Sequence, residues 1–297
     1  MLVRDFGNWF FLHVMPWWIA GADAQAALAY CRRHAPCMVN YLGEHYADSS
    51  LVRPTLEEYR NLAGLLSSAK VAASITVKPS QFGFSALDVE DPRSFCEDNM
   101  LEAVRHAAGC GVFTWLDMED SRSTDFTLDF YCKYAPEYPI GICIQANLRR
   151  SPKDLDRLMS LSNSCAVRVR LVKGTYSEMP DAALADADVH AAFLALIRAA
   201  FAKGPAGFGI AVGSHHPEAV ELALELQKYS PKKFFEIQML KGVRPAYAEG
   251  LRRKGVPLAI YAPYGRDVFA YSVRRAMKDP VLRHNPLFFP FFAAYKA

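Results

Sequence analysis

The chain has 297 residues, of which 52% are hydrophobic and 22% charged, and its net charge is +3. This composition is typical of a globular protein, and the length fits one large domain. The charge is too small and too scattered to indicate nucleic-acid binding, and no apolar run is long enough to span a membrane.

The first segment of the chain, residues 6–21, is apolar and rich in Phe and Trp, and a helix follows at 23–34. A second apolar segment lies near the other end, at 286–295. Two interpretations of these segments stay open. They form helices that pack on the rest of the protein or on a second subunit, or they dock on a bilayer surface.

After the helix at 23–34, strand-like runs alternate with amphipathic helical patterns, such as the one at 217–229. Eight strands are predicted, at 37–43, 73–79, 112–118, 140–146, 166–172, 209–214, 234–240 and 258–263. Such alternation, with strands that are apolar almost throughout, indicates parallel strands covered by helices. Eight units over about 230 residues favour a closed (β/α)8 barrel over an open doubly wound sheet.

The domain prediction is a single barrel that spans residues 1–297, because no linker, repeat or low-complexity segment interrupts the pattern. No Gly-x-Gly-x-x-Gly or Walker sequence follows a strand, which disfavours a Rossmann or P-loop site. The seven cysteines show no Cys-x-x-Cys spacing and follow no secretory segment. We therefore expect reduced thiols and a cytoplasmic protein.

Polar residues cluster where the predicted strands end, which is where the chemistry of a (β/α)8 barrel takes place. Unpaired buried charge is costly, so polar groups on nearly every strand indicate a site at this mouth. The residues are Lys78, Asp117 with Glu119 and Asp120, Gln145, Arg170 with Lys173, Ser214 with His215 and His216, Glu236 with Gln238, and Tyr261.

Two other chemistries are compatible with single members of this set. Lys173, close to Arg168 and Arg170, invites a Schiff-base reaction as an alternative. The adjacent histidines His215 and His216 invite a metal site, but neighbouring residues of a strand point to opposite faces. We therefore expect no metal.

Several motifs, in this order and spacing, resemble the flavin-dependent proline dehydrogenase family. The strongest are RLVKGTY (170–176), GSHHPE (213–218), FEIQMLKGVR (235–244) and YAPYGRDVFAYSVRR (261–275). YLGE (41–44), ITVKPSQFG (75–83) and LDMEDS (116–121) are similar as well. The resemblance runs from about residue 20 to 280, and the length resembles the short monofunctional bacterial members.

The resemblance implies a (β/α)8 barrel that holds non-covalent FAD and oxidises L-proline to Δ1-pyrroline-5-carboxylate. A hydride would pass from the ring carbon beside nitrogen to flavin N5, and the electrons would leave to a membrane quinone. Peripheral contact with the inner face of the membrane and a homo-oligomer stay open, and no nucleic acid is expected.

The resemblance also implies a substrate clamp on the helix after the eighth strand. Tyr271, Arg274, Arg275 and Lys278 share one face of that helix. Arg274 and Arg275 would bind the substrate carboxylate, since a planar guanidinium meets a carboxylate with parallel hydrogen bonds, and Lys78 would add a third positive charge. This requires the last helix to lie over the C-terminal mouth of the barrel.

Further roles are implied position by position. The catalytic set is Lys78, Asp117, Tyr261, Arg274 and Arg275, in which Asp117 would orient Lys78. The substrate ring would contact Thr175, Tyr176, Tyr261 and Tyr271. The cofactor would contact Gln145, Arg170, Lys173, Gly174, Ser214, His215 and Gln238.

Four positions depart from the family pattern. Thr175 replaces an alanine, Ser214 replaces a threonine, Lys278 replaces a glutamate, and Ser177 stands where some members have an aromatic residue. Tyr261 favours proline over 4-hydroxyproline, whereas Thr175 and Lys278 leave another cyclic secondary amine open as the substrate. A Schiff-base lyase that uses Lys173, or an inactive binding module, is the alternative of a different class.

Overall fold

The computed structural model describes residues 2–176, 178–205 and 207–296, so Ser177 lies outside the described residues. Eight parallel strands close into a barrel in sequence order, with the eighth paired to the first. The strands are β1 (Cys37–Tyr41), β2 (Ala73–Val77), β3 (Thr114–Leu116), β4 (Ile140–Gln145), β5 (Val167–Val172), β6 (Phe208–Gly213), β7 (Phe235–Leu240) and β8 (Leu258–Tyr264). The predicted closed barrel is confirmed, and every predicted strand overlaps an observed one.

Helices cover the outside of the barrel, one before β1 and one after each of the first seven strands. They are α2 (Ala24–His34), α3 (Val52–Ser68), α4 (Pro92–Gly109), α5 (Ser121–Tyr134), α6 (Ser151–Leu161), α7 (Asp186–Lys203), α8 (Pro217–Tyr229) and α9 (Pro245–Arg253). Asp23 caps α2 by accepting a hydrogen bond from the Ala26 amide. The helices predicted at 23–34 and 217–229 are therefore confirmed as α2 and α8.

The barrel interior is filled by large side chains beside small ones. Trp115 and Met38 pack with Ala211 and Ala259 inside the barrel. Gly141 pairs with Trp115 across β3 and β4, and a Cβ on this glycine would lie 2.6 Å from the Trp115 ring. The absence of a side chain at Gly141 is therefore what lets the indole fit.

Three further helices lie outside the repeating pattern: α1 (Leu2–His13), α10 (Phe269–Lys278) and α11 (Phe289–Lys296). Helix α10 is the predicted helix after β8, and α11 follows it within the second apolar segment. The two predicted apolar segments belong to α1 and α11 with their flanking turns. Their buried side chains form one hydrophobic cluster with α10, made of Phe11, Met15, Trp18, Ile19, Leu42, Val268, Phe269, Val273, Ala276, Leu282, Phe288 and Phe291.

Helix α10 is amphipathic and lies across the C-terminal mouth of the barrel. Its buried face consists of Phe269, Ser272, Val273 and Ala276, at helical spacing. On the other face, Arg274 contacts Glu44 just beyond β1, whereas Lys278 lines a cavity with Lys173 just beyond β5. The helix therefore spans the opening from β1 towards β5, which confirms the predicted position over the mouth.

None of the helices in the described part of the chain combines the length and the hydrophobicity that crossing a bilayer requires. Each of the seven cysteines is a free thiol.

Candidate active site

A buried ionic network at the floor of the mouth joins three strands. Asp117, which follows β3, accepts a hydrogen bond from the Arg170 guanidinium and one of 2.7 Å from the Tyr261 hydroxyl. Arg170 is 4% exposed. Burial alone would lower the pKa of Arg170, but Asp117 raises that pKa above its ordinary value. Arg170 is therefore a permanent cation held in place by Asp117.

A second network, above the first, joins β1, β2 and α10 through Glu44. Lys78 donates a 2.5 Å hydrogen bond to the Glu44 carboxylate, and Arg274 donates to both of its oxygens at 3.0 Å. Burial would raise the pKa of Glu44, but Lys78 and Arg274 together hold it at about 2. Glu44 is therefore an anion at neutral pH that aligns two of the predicted clamp cations.

Glu44 orients Lys78 in the structure. The sequence had predicted this role for Asp117. The two oxygens of Asp117 are engaged by Arg170 and Tyr261, so neither serves Lys78. Burial would lower the pKa of Lys78, but Glu44 raises it well above the ordinary value. Lys78 thus stays protonated inside the mouth.

Glu44 is a member of this network that the sequence did not single out. The strand that ends at YLGE was the one strand to which no polar candidate was assigned. Its last residue was read only as part of a motif. An acidic side chain directly after a barrel strand, facing a predicted excess of lysine and arginine, was the available signal.

Arg275 lies on the same face of α10, near the Tyr271 ring and close enough to His215 to lower its pKa. Its guanidinium lies 5.6 Å from the centre of the Tyr271 ring. Its Nε is buried and, among the described residues, has no hydrogen-bond partner. The Tyr271 hydroxyl oxygen is buried and unpartnered in the same way. These two groups can therefore bind a polar ligand without giving up a protein contact.

His215 is a neutral imidazole of defined tautomer. The Leu240 amide donates a 3.1 Å hydrogen bond to its Nε2, so the ring proton is on Nδ1. Burial, with smaller effects from Arg275 and Arg244, lowers the pKa of His215 to about 4. The Nδ1–H is buried and has no acceptor within the described residues. His215 therefore offers one free donor.

At the mouth, Glu44 pairs with Lys78 and Arg274, and Asp117 pairs with Arg170. The half-buried guanidinium of Arg275 has no carboxylate partner among the described residues. This guanidinium favours an anionic ligand, because an unpaired buried charge is costly. The aromatic side chains Tyr176, Tyr261 and Tyr271 line the same region, and burial raises the pKa of each.

A cavity of about 810 Å³ opens beside this charged region, beyond β4 and β5. Lys173, Gly174, Thr175, Tyr176 and Lys278 are among its lining residues. Burial, followed by Arg275 and Arg274, lowers the pKa of Lys278. The positive charges of Arg274 and Arg275 therefore act on the ammonium of Lys278. This agrees with the prediction that the three residues share one face of the helix.

Position 174, in the wall of this cavity, requires a glycine for conformational and steric reasons. Its φ is +98°, and a Cβ there would lie 1.9 Å from Oδ1 of Asn147. That Oδ1 is buried and lacks a partner among the described residues. The backbone therefore approaches the amide of Asn147 closely, which leaves the cavity lined by polar groups of the main chain and of Asn147.

The other predicted cofactor residues continue this polar wall across neighbouring strands. Gln145 and Gln238 lie at the same level of the sheet, linked through the register of β5 and β6. The Gln145 side chain donates a 2.7 Å hydrogen bond to the main-chain carbonyl of Glu119. The Gln238 side chain donates a 2.7 Å hydrogen bond to the Glu236 carboxylate. The Oε1 of Gln238 is buried and unpartnered in the part of the chain that is described.

Some strand-end residues have structural roles. Glu119 accepts hydrogen bonds from the amide and hydroxyl of Ser80, at 2.8 and 2.7 Å. Asp120 caps α5. The Arg168 guanidinium stacks on the rings of Phe113 and Phe234, whereas Arg170 pairs with Asp117. The basic side chains of β5 therefore do not form a single cluster.

Among the described residues, one trio of potential metal ligands combines His216 of the predicted set with two residues that were not predicted. His190, His216 and Glu218 offer ligand atoms within 4.8 Å of one another, and Nε2 of His190 lies 2.7 Å from Glu218. Both His215 and His216 follow β6 and do not alternate within it, contrary to the sequence reasoning. The trio lies at the positive end of α8, and burial, followed by His190, Lys173 and Arg244, lowers the pKa of His216. This surrounding positive charge disfavours a cation.

Comparison with known proteins gives one consistent family. The sequence model of the proline dehydrogenase family matches residues 24–278. Proline dehydrogenase 1 of Bacillus subtilis (strain 168) is 28% identical over 248 residues, which cover 82% of this chain and 78% of the relative. Proline dehydrogenase of Deinococcus radiodurans is 32% identical over 188 residues, 61% of this chain and 58% of that protein.

Solved structures share the fold. Proline utilization A (PutA) from Bdellovibrio bacteriovorus has a TM-score of 0.80 at 21% identity, over 97% of this chain and 36% of that one. PutA from Bradyrhizobium japonicum, as the D779W mutant, has a TM-score of 0.74 at 19% identity, over 95% of this chain. The chain spans about a third of the length of these structures.

Proposed function

The chain belongs to the proline dehydrogenase family, as an oxidoreductase that acts on proline, and we propose the following chemistry for its site. L-proline is oxidised to Δ1-pyrroline-5-carboxylate, the hydride passes to N5 of FAD, and the electrons leave to a quinone. The observation that carries the proposal is the cationic face of α10, which lies over the barrel mouth with Arg274 held by Glu44 and with Arg275 unpaired among the described residues.

The substrate carboxylate binds to Arg274, Arg275 and Lys78. Glu44 keeps Lys78 and Arg274 side by side, and Arg275 has a buried Nε without a partner among the described residues. Charge-assisted hydrogen bonds from guanidinium to carboxylate are about twice as strong as neutral ones. Anchored this way, the ring lies among the tyrosines, and α10 shields it from water.

Unsatisfied buried groups support FAD as the cofactor. Among the described residues, acceptors on Asn147 and Gln238, the Nδ1–H of His215 and the Nε of Arg170 have no hydrogen-bond partner, and they are distributed along β4 to β7. Lys173, Gly174 and the cavity beside them would hold the diphosphate end, and Gln145, Arg170, Ser214, His215 and Gln238 would hold the ring system. FAD, when bound, supplies the two-electron acceptor, and Arg170 supplies a positive charge that stabilises a reduced, anionic ring.

The amine proton is lost before proline binds. A general base needs a free acceptor and a pKa near the working pH. Lys78 and Tyr261 have raised pKa values, so the first stays protonated and the second neutral. The acceptor nitrogen of His215 is engaged by Leu240. With these groups excluded, we propose that proline enters as the free amine.

Another cyclic secondary amine is the second candidate substrate. Thr175 and Lys278 line the cavity beside the arginine pair, and both bring polarity that would suit a substituted ring. The Schiff-base alternative through Lys173 and the inactive-module alternative have no comparable support, because the family membership indicates an oxidoreductase.

Delivery of electrons to a quinone would take place at a bilayer surface. Phe6, Trp9, Trp17, Leu287 and Phe289 are apolar and exposed, and Phe6 stacks on Phe291, so the two segments adjoin. Exposed aromatic side chains suit the interface of a bilayer. Sedimentation with anionic vesicles would test this contact, and a protein that stays in the supernatant at low salt would contradict it.

Purified protein tests the proposed chemistry. We expect a yellow protein that bleaches on addition of L-proline without oxygen, since reduction of an oxidised flavin removes its colour. A folded, colourless protein that FAD does not reconstitute would contradict the proposal. A yellow protein that bleaches with a substituted proline but not with L-proline would favour the second candidate substrate.

A further inference from the structure

The start of α10 is capped from another helix. Oδ1 of Asn8, on α1, accepts hydrogen bonds from the amides of Val268 and Phe269, both at 2.8 Å. These amides belong to the first turn of α10, where no earlier helical carbonyl is available. Val268, at the cap position, provides no side-chain hydrogen bond of its own. One side chain from α1 thus supplies the cap that α10 lacks locally.

Further contacts hold both ends of α10. A Cβ on Gly7 would lie 2.4 Å from the Phe269 ring, so α1 and α10 are in close contact. At the other end, the Tyr295 hydroxyl on α11 lies 3.4 Å from Nη1 of Arg274. Helices α1 and α11 also pack on each other through Phe11 and Phe291, whose rings are 5.5 Å apart. We call α1 and α11 the terminal bracket.

The terminal bracket lies outside the residues that match the family, 24–278, whereas the arginines that it supports lie inside them. We propose that the terminal bracket fixes the substrate clamp, and that Asn8 is a positioning residue for Arg274 and Arg275. The inference rests on the proposed function, in which Arg274 and Arg275 bind the carboxylate of the substrate.

Helix geometry explains why a cap on one end matters at the other. Arg275 lies six residues after Phe269, about 9 Å along the axis. A helix of ten residues transmits a rotation or slide of its first turn to its last turn. Hydrogen bonds weaken steeply as their geometry is lost, so a displaced guanidinium group binds the substrate carboxylate less tightly. Loss of the Asn8 cap would therefore displace the guanidinium groups, although Asn8 does not contact them.

The test compares Asn8→Ala with Asn8→Asp, which keeps an acceptor and favours a helix N-terminus. We expect Asn8→Ala to raise KM for L-proline roughly 3- to 30-fold, the equivalent of a lost cap, with kcat changed less than about twofold. Asn8→Asp should restore the wild-type KM. Amide exchange at Val268 and Phe269 should be faster in Asn8→Ala than in the other two proteins.

Affinity for cyclopentanecarboxylate, measured by calorimetry, provides a readout without turnover. It should weaken in Asn8→Ala by the same factor as KM. An Asn8→Ala protein with faster exchange but wild-type KM and affinity would overturn the inference, as would a raised KM that Asn8→Asp does not restore. If Asn8→Ala does not fold, Tyr295→Phe takes its place, and an unchanged KM there overturns the inference.

Failure of the proposed function gives a different result. A wild-type protein that does not oxidise proline contradicts that function directly. The exchange rates and the carboxylate affinity then decide the role of the terminal bracket by themselves. Wild-type affinity in the exchange-labile Asn8→Ala protein would again overturn it.

Discussion

At the scale of single residues, the site depends on charged groups whose partners fix their ionisation. Glu44 holds Lys78 and Arg274, which would otherwise repel one another inside the mouth, and Asp117 holds Arg170. His215 is the opposite case, because burial and nearby arginines keep it neutral. Within the part of the chain that the structure describes, donors at His215 and Arg275 therefore stay available to ligands.

His215 predicts a pH-dependent stability. Its pKa is about 4 in the folded chain and 6.5 ordinarily, so between these values the unfolded chain binds a proton that the folded chain does not. Stability from this group is complete above pH 6.5 and is lost as the pH falls towards about 4. The loss amounts to roughly 3 kcal/mol.

We therefore expect wild type to lose up to roughly 3 kcal/mol relative to His215→Gln when the pH falls from about 7 to 4. Glutamine keeps an acceptor for the Leu240 amide but does not titrate. Urea unfolding of both proteins across this range provides the measurement. A difference in unfolding free energy that does not change with pH would show that His215 is not held neutral.

The sequence could predict residues whose role follows from strand position and motif, such as Lys78, Arg170 and Tyr261. It could not predict which charges pair. The expectation that Asp117 orients Lys78 was wrong, because Arg170 and Tyr261 engage Asp117, and only the three-dimensional arrangement brings Glu44 to Lys78. Pairing between residues 34 positions apart leaves no local pattern in the chain.

At the scale of elements, α10 shows how far helical periodicity reaches. Spacing alone placed Tyr271, Arg274, Arg275 and Lys278 on one face, and the observed helix confirms that its opposite face is buried. Spacing gave no information on what covers that buried face. The cover consists of α1 and α11, which are distant in sequence and join α10 through aromatic contacts.

Two glycines in helices predict opposite effects of the same substitution. Gly7→Ala would force a methyl group into the Phe269 ring, whereas a Cβ on Gly64 of α3 meets nothing within 4 Å. We expect Gly7→Ala to destabilise the protein by about 1–3 kcal/mol through overpacking. Gly64→Ala should stabilise it by about 0.4–1 kcal/mol through the unfolded chain.

Thermal unfolding of the two glycine variants beside wild type is the measurement. Equal shifts of Tm in both variants would mean that α1 does not contact α10 as closely as the structure indicates. The pair is matched because both substitutions add one methyl group to a helix.

At the scale of the whole molecule, the barrel brings strand ends from across the chain to one mouth, and the terminal helices close it. The barrel could be predicted because alternation of strands and helices is a local pattern repeated eight times. The positions of α1 and α11 could not, because their apolar sequences fit a protein interior, a subunit contact and a bilayer equally well. Their buried faces meet α10, and their exposed aromatic residues stay on the surface.

The central claim is that α10 delivers arginines to the carboxylate of the substrate. The most direct test is KM for L-proline in Arg275→Met, with Arg266→Met as the control, since Arg266 is exposed beyond β8. Loss of one charged hydrogen bond of about 1.5–3 kcal/mol predicts a KM raised roughly 10- to 150-fold in Arg275→Met and a wild-type KM in the control. An unchanged KM in Arg275→Met, in a protein that still oxidises proline, would contradict the claim.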